Sequence, residues 1–260
     1  MRPRSRPSSS RRRPRSNPAS RPTRRRSALI TSASNPTLKL VRKLLAQKRK
    51  REELGLFAVE GEDLVAAATA AGIEPLELLV AGETVEPELL AAISTLAHPA
   101  RVVAVYRTAG LPREPRDVAL ALWRVADPGN VGTLLRAADA FGAAVALSEG
   151  CADVLGPKAL RASAGAIFRV PLLAWDDAPG ARVALVAHGA PPLHELDLSG
   201  PVTFLLGAER EGLPEEIVAD SNYLASIATT GAAESLNVAV AGAIALYERS
   251  RQTDLVADSN

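Results

Sequence analysis

Apolar positions change their spacing several times along the chain, and each change marks a unit. Residues 1–34 are Arg, Pro and Ser with almost nothing apolar, so they cannot bury enough surface to offset the entropy of ordering. A disordered basic tail is expected there. Its repeated prolines, Pro3, Pro7, Pro14, Pro18 and Pro22, exclude the amphipathic helix of a targeting peptide. Over 35–51 the apolar residues Leu38, Val41, Leu44 and Leu45 fall at helical spacing with Lys and Arg between them, which predicts one helix with a basic outer face that includes Arg42 and Lys43. Short apolar runs at 56–59, 76–80 and 102–106 read as strands, with helices at 61–71 and 87–96. Residues 35–108 thus form a small α/β unit, and the two prolines in 109–116 mark a linker.

From 117 to 252 buried-type strands alternate with helices. The continuous apolar run 118–125 predicts a strand covered on both faces, followed by a helix at 131–141 and strands or helices at 143–147, 157–168, 182–187, 202–206 and 223–228. Such alternation predicts a mostly parallel sheet covered by helices. The last helix is nearly unbroken Val, Ala, Ile and Leu from Val238, with Ser235 placed as its N-cap and Glu234, Ser235 and Asn237 forming a polar mouth that needs partners. Residues 253–260 are left as a C-terminal tail.

Composition sharpens this picture at two points. Aromatic residues make up only 3% of the chain, so the core has to be built from Ala, Val and Leu. Cys151 is the single cysteine, which excludes an internal disulfide and a cysteine-clustered zinc site and points to a reducing compartment, the cytoplasm. No apolar run is long enough to span a bilayer. Charge is divided unevenly: 18 of the 31 Lys and Arg lie in residues 1–51, with no Asp or Glu among them, so all 29 acidic residues meet only 13 basic ones in the remainder. A basic arm on an acidic body suits a polyanionic partner, bound through phosphates without regard to sequence.

The chemistry has few places to sit. There is no phosphate-loop motif and no glycine-rich dinucleotide fingerprint, and His98, His188 and His194 lack metal-ligand spacing, so no metal is expected and His188, at a strand end, reads as structural. Three glycine-punctuated turns remain, each after a buried strand, at the end of the sheet where α/β folds bind ligands. They are Asp127-Pro128-Gly129-Asn130, with Asn130 able to cap the following helix and Arg136 six residues on; Gly207-Ala208-Glu209-Arg210-Glu211-Gly212; and Ser235-Leu236-Asn237-Val238. Alone, the first reads as an ordinary turn and cap, the second equally well as a mobile acidic turn or a loop that approaches a ligand, and the third has a plain helix cap as its alternative.

Jointly, Asn130…Arg136, Gly207-x-Glu209-x-x-Gly212 and Ser235-Leu236-Asn237-Val238 resemble, in order and spacing, the three motifs of the SpoU/TrmH family of RNA ribose 2′-O-methyltransferases in the SPOUT superfamily. The stretch from Ser148-Glu149-Gly150 to Lys158…Arg161-Ala162-Ser163-Ala164-Gly165 is similar too. The resemblance covers about 118–249, and 35–107 is more loosely similar to the substrate-recognition domain that precedes it in many members. It implies a deep trefoil knot in the C-terminal sheet, a homodimer, and S-adenosylmethionine held by Gly207, Ile227 and Leu236. It also implies a reaction site of Asn130, Arg136, Glu209, Ser235 and Asn237, with Arg136 orienting phosphate and ribose, Asn130 and Glu209 positioning Arg136 and substrate, and Arg42, Lys43, Lys158 and Arg161 on RNA. Two departures stand out: Ile227-Ala228-Thr229 where the family commonly has Ile-Pro-Met, and Arg210 where glycine is frequent, which strains the chain if that position needs a positive φ.

The expected activity is methylation of a ribose 2′-hydroxyl, in 23S ribosomal RNA ahead of transfer RNA. The alternatives are a tRNA 2′-O-methyltransferase, a silent RNA-binding or ribosome-assembly factor on the same scaffold, and a small-molecule enzyme with an incidental tail.

Overall fold

The computed structural model describes residues 29–229 and 235–257; the expected disorder of residues 1–28, the first part of the polar mouth at 230–234 and the last three residues lie outside it. Helix α1 (Pro36–Ala46) starts with Asn35 accepting the Thr37 N–H at 2.8 Å and with Pro36 in the first turn. It buries Leu38, Val41, Leu44 and Leu45, the face read from their spacing. One helix over 35–51 was expected, but the chain turns extended at Gln47 and starts again as α2 (Lys48–Leu54). The reason is Arg51, whose guanidinium folds back to donate to the carbonyls of Leu44 and Leu45 at the end of α1.

Strands β1 (Leu56–Glu60), β2 (Glu77–Val80) and β3 (Val102–Arg107) form an antiparallel sheet in the order β1-β3-β2, flanked by α3 (Glu62–Ala70) and α4 (Pro87–Ala91). The expected helix at 87–96 stops early because Ser94 and Thr95 turn inward to donate to the buried Glu60 carboxylate, Ser94 Oγ at 2.7 Å and the Thr95 N–H at 2.9 Å. Ile30 also belongs to this unit: its N–H reaches the Thr84 carbonyl at 2.9 Å and its carbonyl accepts the Glu86 N–H at 3.0 Å. The expected tail boundary at residue 34 therefore falls inside a segment that already pairs with the small unit.

The second unit carries six strands, β4 (Val118–Leu122), β5 (Ala144–Leu147), β6 (Leu172–Ala174), β7 (Ala181–Leu185), β8 (Val202–Leu206) and β9 (Tyr223–Ala225), all paired in parallel in the order β6-β5-β4-β8-β7-β9. Every residue of β4 and β8 is buried, as their unbroken apolar runs require. The helices are α5 (Pro128–Ala140), α6 (Pro157–Ser163), α7 (Glu215–Ala219) and α8 (Val238–Ala257). The α/β class, the parallel sheet and the smaller unit before it match the expectation. The expected tail from 253 does not: α8 continues to Ala257. The helix at 157–168 ends at Ser163, because Ala164 and Gly165 turn left-handed; a Cβ on Gly165 would lie 2.4 Å from the Ala67 Cβ of α3, so the neighbouring unit fixes the break.

The two units share one core. Phe57 and Tyr106 from the small sheet meet Phe168 from the large unit, with ring centroids 5.3–6.1 Å apart. Each such fully buried side chain contributes about 1.5–3 kcal/mol. Within the same core, α8 is drawn tight onto α5 and β8 at Gly242. A Cβ there would stand 2.5 Å from Leu134 Cδ2 and 2.9 Å from Leu206 Cδ1. Gly242→Val therefore overpacks this contact and is expected to lower unfolding stability by about 1–3 kcal/mol in urea titration, with the slope of the transition unchanged.

Candidate active site

Strands β4 and β8 lie side by side in register, Leu122 opposite Leu206, so the turns after them open at the same edge. Asp127, rather than Asn130, caps α5: its carboxylate accepts the N–H groups of Gly129 and of Asn130 (3.1 Å). Asn130 thereby sits inside the first turn with its amide free to point across. After β8 the chain makes a loop closed by paired Ala208 and Gly212 backbone groups, at 3.2 and 2.9 Å, which leaves Glu209 at its near side. Gly207 is required here, since a Cβ would lie 2.1 Å from the Gly212 carbonyl carbon of the returning strand. The positive φ in this loop falls on Gly212 (69°), and Arg210 does not share it, so the arginine in place of a glycine is unstrained.

The third segment meets the other two. Asn237, and not Ser235, caps α8: its Oδ1 accepts the N–H groups of Ala239 (2.9 Å) and Val240 (3.3 Å). Its Nδ2 then donates to Asn130 Oδ1 at 3.1 Å, and Asn130 Nδ2 donates to Glu209 Oε1 at 3.0 Å. The same carboxylate accepts the backbone N–H groups of Ala126 (3.5 Å) and Asp127 (3.4 Å). Partial burial raises the Glu209 pKa, but the Asn130 amide and these backbone donors outweigh it and hold the carboxyl below its usual value. The Asp127 carboxyl is lowered as well, by the Asn130 and Gly129 N–H groups first and by Lys158, 3.5 Å away, to a lesser degree.

Beside this network is a cleft of about 480 Å³. It is walled by the end of β7 and residues up to His188, by the Gly207–Gly212 loop, by Ile227 and Thr229, and by Ser235 to Val238 with Ala241. Gly207, Ile227 and Leu236 all line it, as do Glu209, Ser235 and Asn237. Asn130 reaches it only through its two partners. Arg136 is exposed on α5 and makes no hydrogen bond or ion pair among the described residues, so the structure does not bring it to Asn130 or Glu209. Lys158 pairs with Asp127 at the site's edge, Arg161 reaches Thr95 Oγ1 (3.2 Å) and Glu60 (4.0 Å) in the small unit, and Arg42 and Lys43 stand exposed on α1. His188, read as structural, lines the cleft; its place just beyond strand 181–185 was the available signal. Among the described residues no cluster of His, Cys, Asp and Glu is placed to hold a metal, and no helix is long and apolar enough to cross a membrane.

This arrangement, a cleft at the carboxyl ends of parallel strands with a polar network beside it, lies where α/β folds bind small molecules. Residues 117–247 match the model of the SpoU rRNA Methylase family, and residues 35–109 that of the MRM3-like substrate binding domain. The chain is 32% identical to the 23S rRNA (guanosine(2553)-2′-O)-methyltransferase RlmP of Bacillus subtilis over 84% of this chain and 97% of that one. It is 30% identical to the 23S rRNA (uridine(2479)-2′-O)-methyltransferase of Streptomyces viridochromogenes, over 80% and 87% of the two chains. The AdoMet-bound rRNA methyltransferase from Sinorhizobium meliloti superposes with a TM-score of 0.77 at 31% identity, covering 87% of this chain and 98% of that one. The chain belongs to the SpoU rRNA methylase family.

Two outcomes check the network. Asn237→Ala removes the α8 cap and leaves Asn130 without its donor, so thermal unfolding should show a loss of about 1–2 kcal/mol. Because the native pKa of Glu209 lies below its unfolded value, its contribution is complete above the unfolded value, declines as pH falls below it, and is gone once pH passes below the native pKa. Acid titration of wild type against Glu209→Gln should therefore show stability curves that keep their full separation above pH ~4.5 and converge in stronger acid.

Proposed function

We propose that this chain methylates a ribose 2′-hydroxyl of large-subunit ribosomal RNA with S-adenosylmethionine as donor. The observation that carries the reading is the cleft bounded by Gly207, Ile227 and Leu236 and joined at its mouth to the Asn237–Asn130–Glu209 network. The cleft fits the cofactor: its volume suits a molecule of that size, its apolar wall of Leu185, Leu206, Leu236 and Val238 suits an adenine ring, and the main chain of the Gly207–Gly212 loop offers polar groups at short range. Ala228 and Thr229, in place of Pro-Met, keep a backbone N–H that proline lacks. When bound, S-adenosylmethionine supplies an electrophilic methyl group on a sulfonium.

The protein's own part is orientation and charge. A ribose hydroxyl is a weak nucleophile, so the site has to favour its loss of a proton and the alkoxide that develops. Arg136 serves as the group that orients phosphate and steadies that charge. The ionised Glu209 and the two asparagines hold the mouth of the cleft in one hydrogen-bond pattern, and Ser235 lines the ribose side. The exposed Arg42 and Lys43 of α1, with Lys158 by the site, offer cations to the RNA backbone, and the residues ahead of them add a larger basic arm. Ribosomal RNA is favoured over transfer RNA by the substrate-binding domain match and by what the two named relatives modify.

A homodimer completes this reading. Val240 and Tyr247, seven residues apart on one face of α8, are 47% and 58% exposed, an apolar stripe that suits a second copy. The trefoil knot belongs to it too: after β9, at the sheet's edge, the chain returns past Ile227 to run α8 against α5 and the central β8, beside the Gly207–Gly212 loop. In this reading residues 35–108 recognise RNA and the unit from residue 117 through α8 catalyses, in the cytoplasm.

Labelled methyl transfer to ribosomal subunits and RNA lacking the modification should place label on a 2′-oxygen of large-subunit RNA; label confined to transfer RNA would overturn the substrate. In the same assay Arg136→Ala should lower kcat by about 10²-fold, and full activity of that variant would remove Arg136 from the reaction.

A further inference from the structure

Arg51 and Asp153 lie outside the cleft, yet they are tied to the peptide that holds Glu209. Arg51 is only 5% exposed. Its Nε donates to Asp153 Oδ2 at 2.9 Å, its Nη2 bonds the same oxygen, and its Nη1 serves the last carbonyls of α1. The other Asp153 oxygen accepts the Leu155 N–H at 3.0 Å, and the Asp153 carbonyl accepts the Gly156 N–H at 2.9 Å. Residues 148–156 are thereby pinned to the small unit from one side.

From the other side the same loop grips the segment that follows β4. Ser148 N–H and Cys151 Sγ both donate to the Leu122 carbonyl, at 3.0 and 3.2 Å, and Ser148 Oγ accepts the Arg124 N–H at 2.9 Å. Arg124 is held at φ 52°, a left-handed conformation that an arginine keeps only where its surroundings impose it. The Ala152 N–H donates to the Val125 carbonyl at 2.9 Å. That carbonyl and the Ala126 N–H belong to one planar peptide unit. Ala152 therefore sets the plane whose opposite edge donates to Glu209 Oε2.

We propose that Arg51 and Asp153 are positioning residues for the methyl-transfer reaction, acting through the Val125–Ala126 peptide on Glu209 and so on Asn130 and Asn237. A turn of that plane moves a donor away from the carboxylate, and a misplacement of about 1 Å in a reaction site costs on the order of 10²-fold in rate. This inference rests on the methyltransferase reading given above.

The test uses Asp153→Asn, Arg51→Lys and the double variant, in the full-length chain. Amide hydrogen exchange comes first, because it is independent of activity: in Asp153→Asn the N–H groups of Ala126 and Asp127 should exchange at least about tenfold faster, with the amides of β7 unchanged. In methyl transfer at saturating RNA, kcat should fall about tenfold while the KM for S-adenosylmethionine stays within about twofold. The double variant should be no worse than the weaker single, since the pair acts as a unit. Wild-type exchange at Ala126 and Asp127 together with wild-type kcat in a cooperatively melting variant overturns the proposal, as does uniform loosening of all amides. Arg51→Lys, which keeps the buried charge, carries the same readouts if Asp153→Asn fails to fold. Absence of transfer by the wild type would sink the functional reading alone, because amide exchange still decides the clamp.

Discussion

The arrangement of the site depends on how one side-chain amide spends its oxygen. Asn237 Oδ1 is committed to the first N–H groups of α8, which have no intrahelical partners of their own. Only its NH₂ then faces outward, and an NH₂ can meet only an acceptor, so Asn130 must present Oδ1 to it and Nδ2 to Glu209. The chain of donors ends on a carboxylate that accepts without donating, provided it is ionised, and its lowered pKa keeps it so. Three segments, 79 and 107 residues apart in sequence, are thereby held in one order of hydrogen bonds with no free choice of amide orientation.

That same dependence explains what could be read from the sequence and what could not. The strands at 118–122 and 202–206 were legible because both faces are buried and the apolar run is continuous. The three motifs were legible because glycines and polar residues cluster directly after such runs. The caps were misplaced: Asn130 and Ser235 each look like a good cap locally, but Asp127 and Asn237 fill those positions, and only the contact across β4 and β8 distinguishes them. Strand β6 is three residues on the sheet edge after Pro171, too short for a periodic signal, and α7 is a single short turn of helix. The breaks at Gln47 and Ala164 come from Arg51 and from Ala67, partners that sequence periodicity does not contain.

The contact between the two units has the character of a domain interior. An aromatic trio fills its centre, Glu60 is buried beneath Ser94, Thr95 and Arg161, and the Arg51–Asp153 pair lies at its edge. Buried charges of this kind contribute little net stability compared with apolar substitutes, because desolvation opposes their attraction, but removing one partner is costly. Their effect is to admit one relative placement of the small sheet and the parallel sheet. The exposed cations of α1 are thus held at a fixed offset from the cleft.

The sheet order also governs assembly during synthesis. Strand β4 lies between β5 and β8, so its second neighbour does not exist until residue 206 has been made, long after the small unit and β5. Until then the nascent chain carries an all-apolar strand with one edge unpaired, the kind of surface that joins other chains. A ribosome adds about 5–20 residues each second, so this edge stays open for several seconds on every molecule. Slowing translation between β5 and β8, or depleting the chaperones that cover such edges, therefore bears on the yield of this protein more than on the stability of the finished fold.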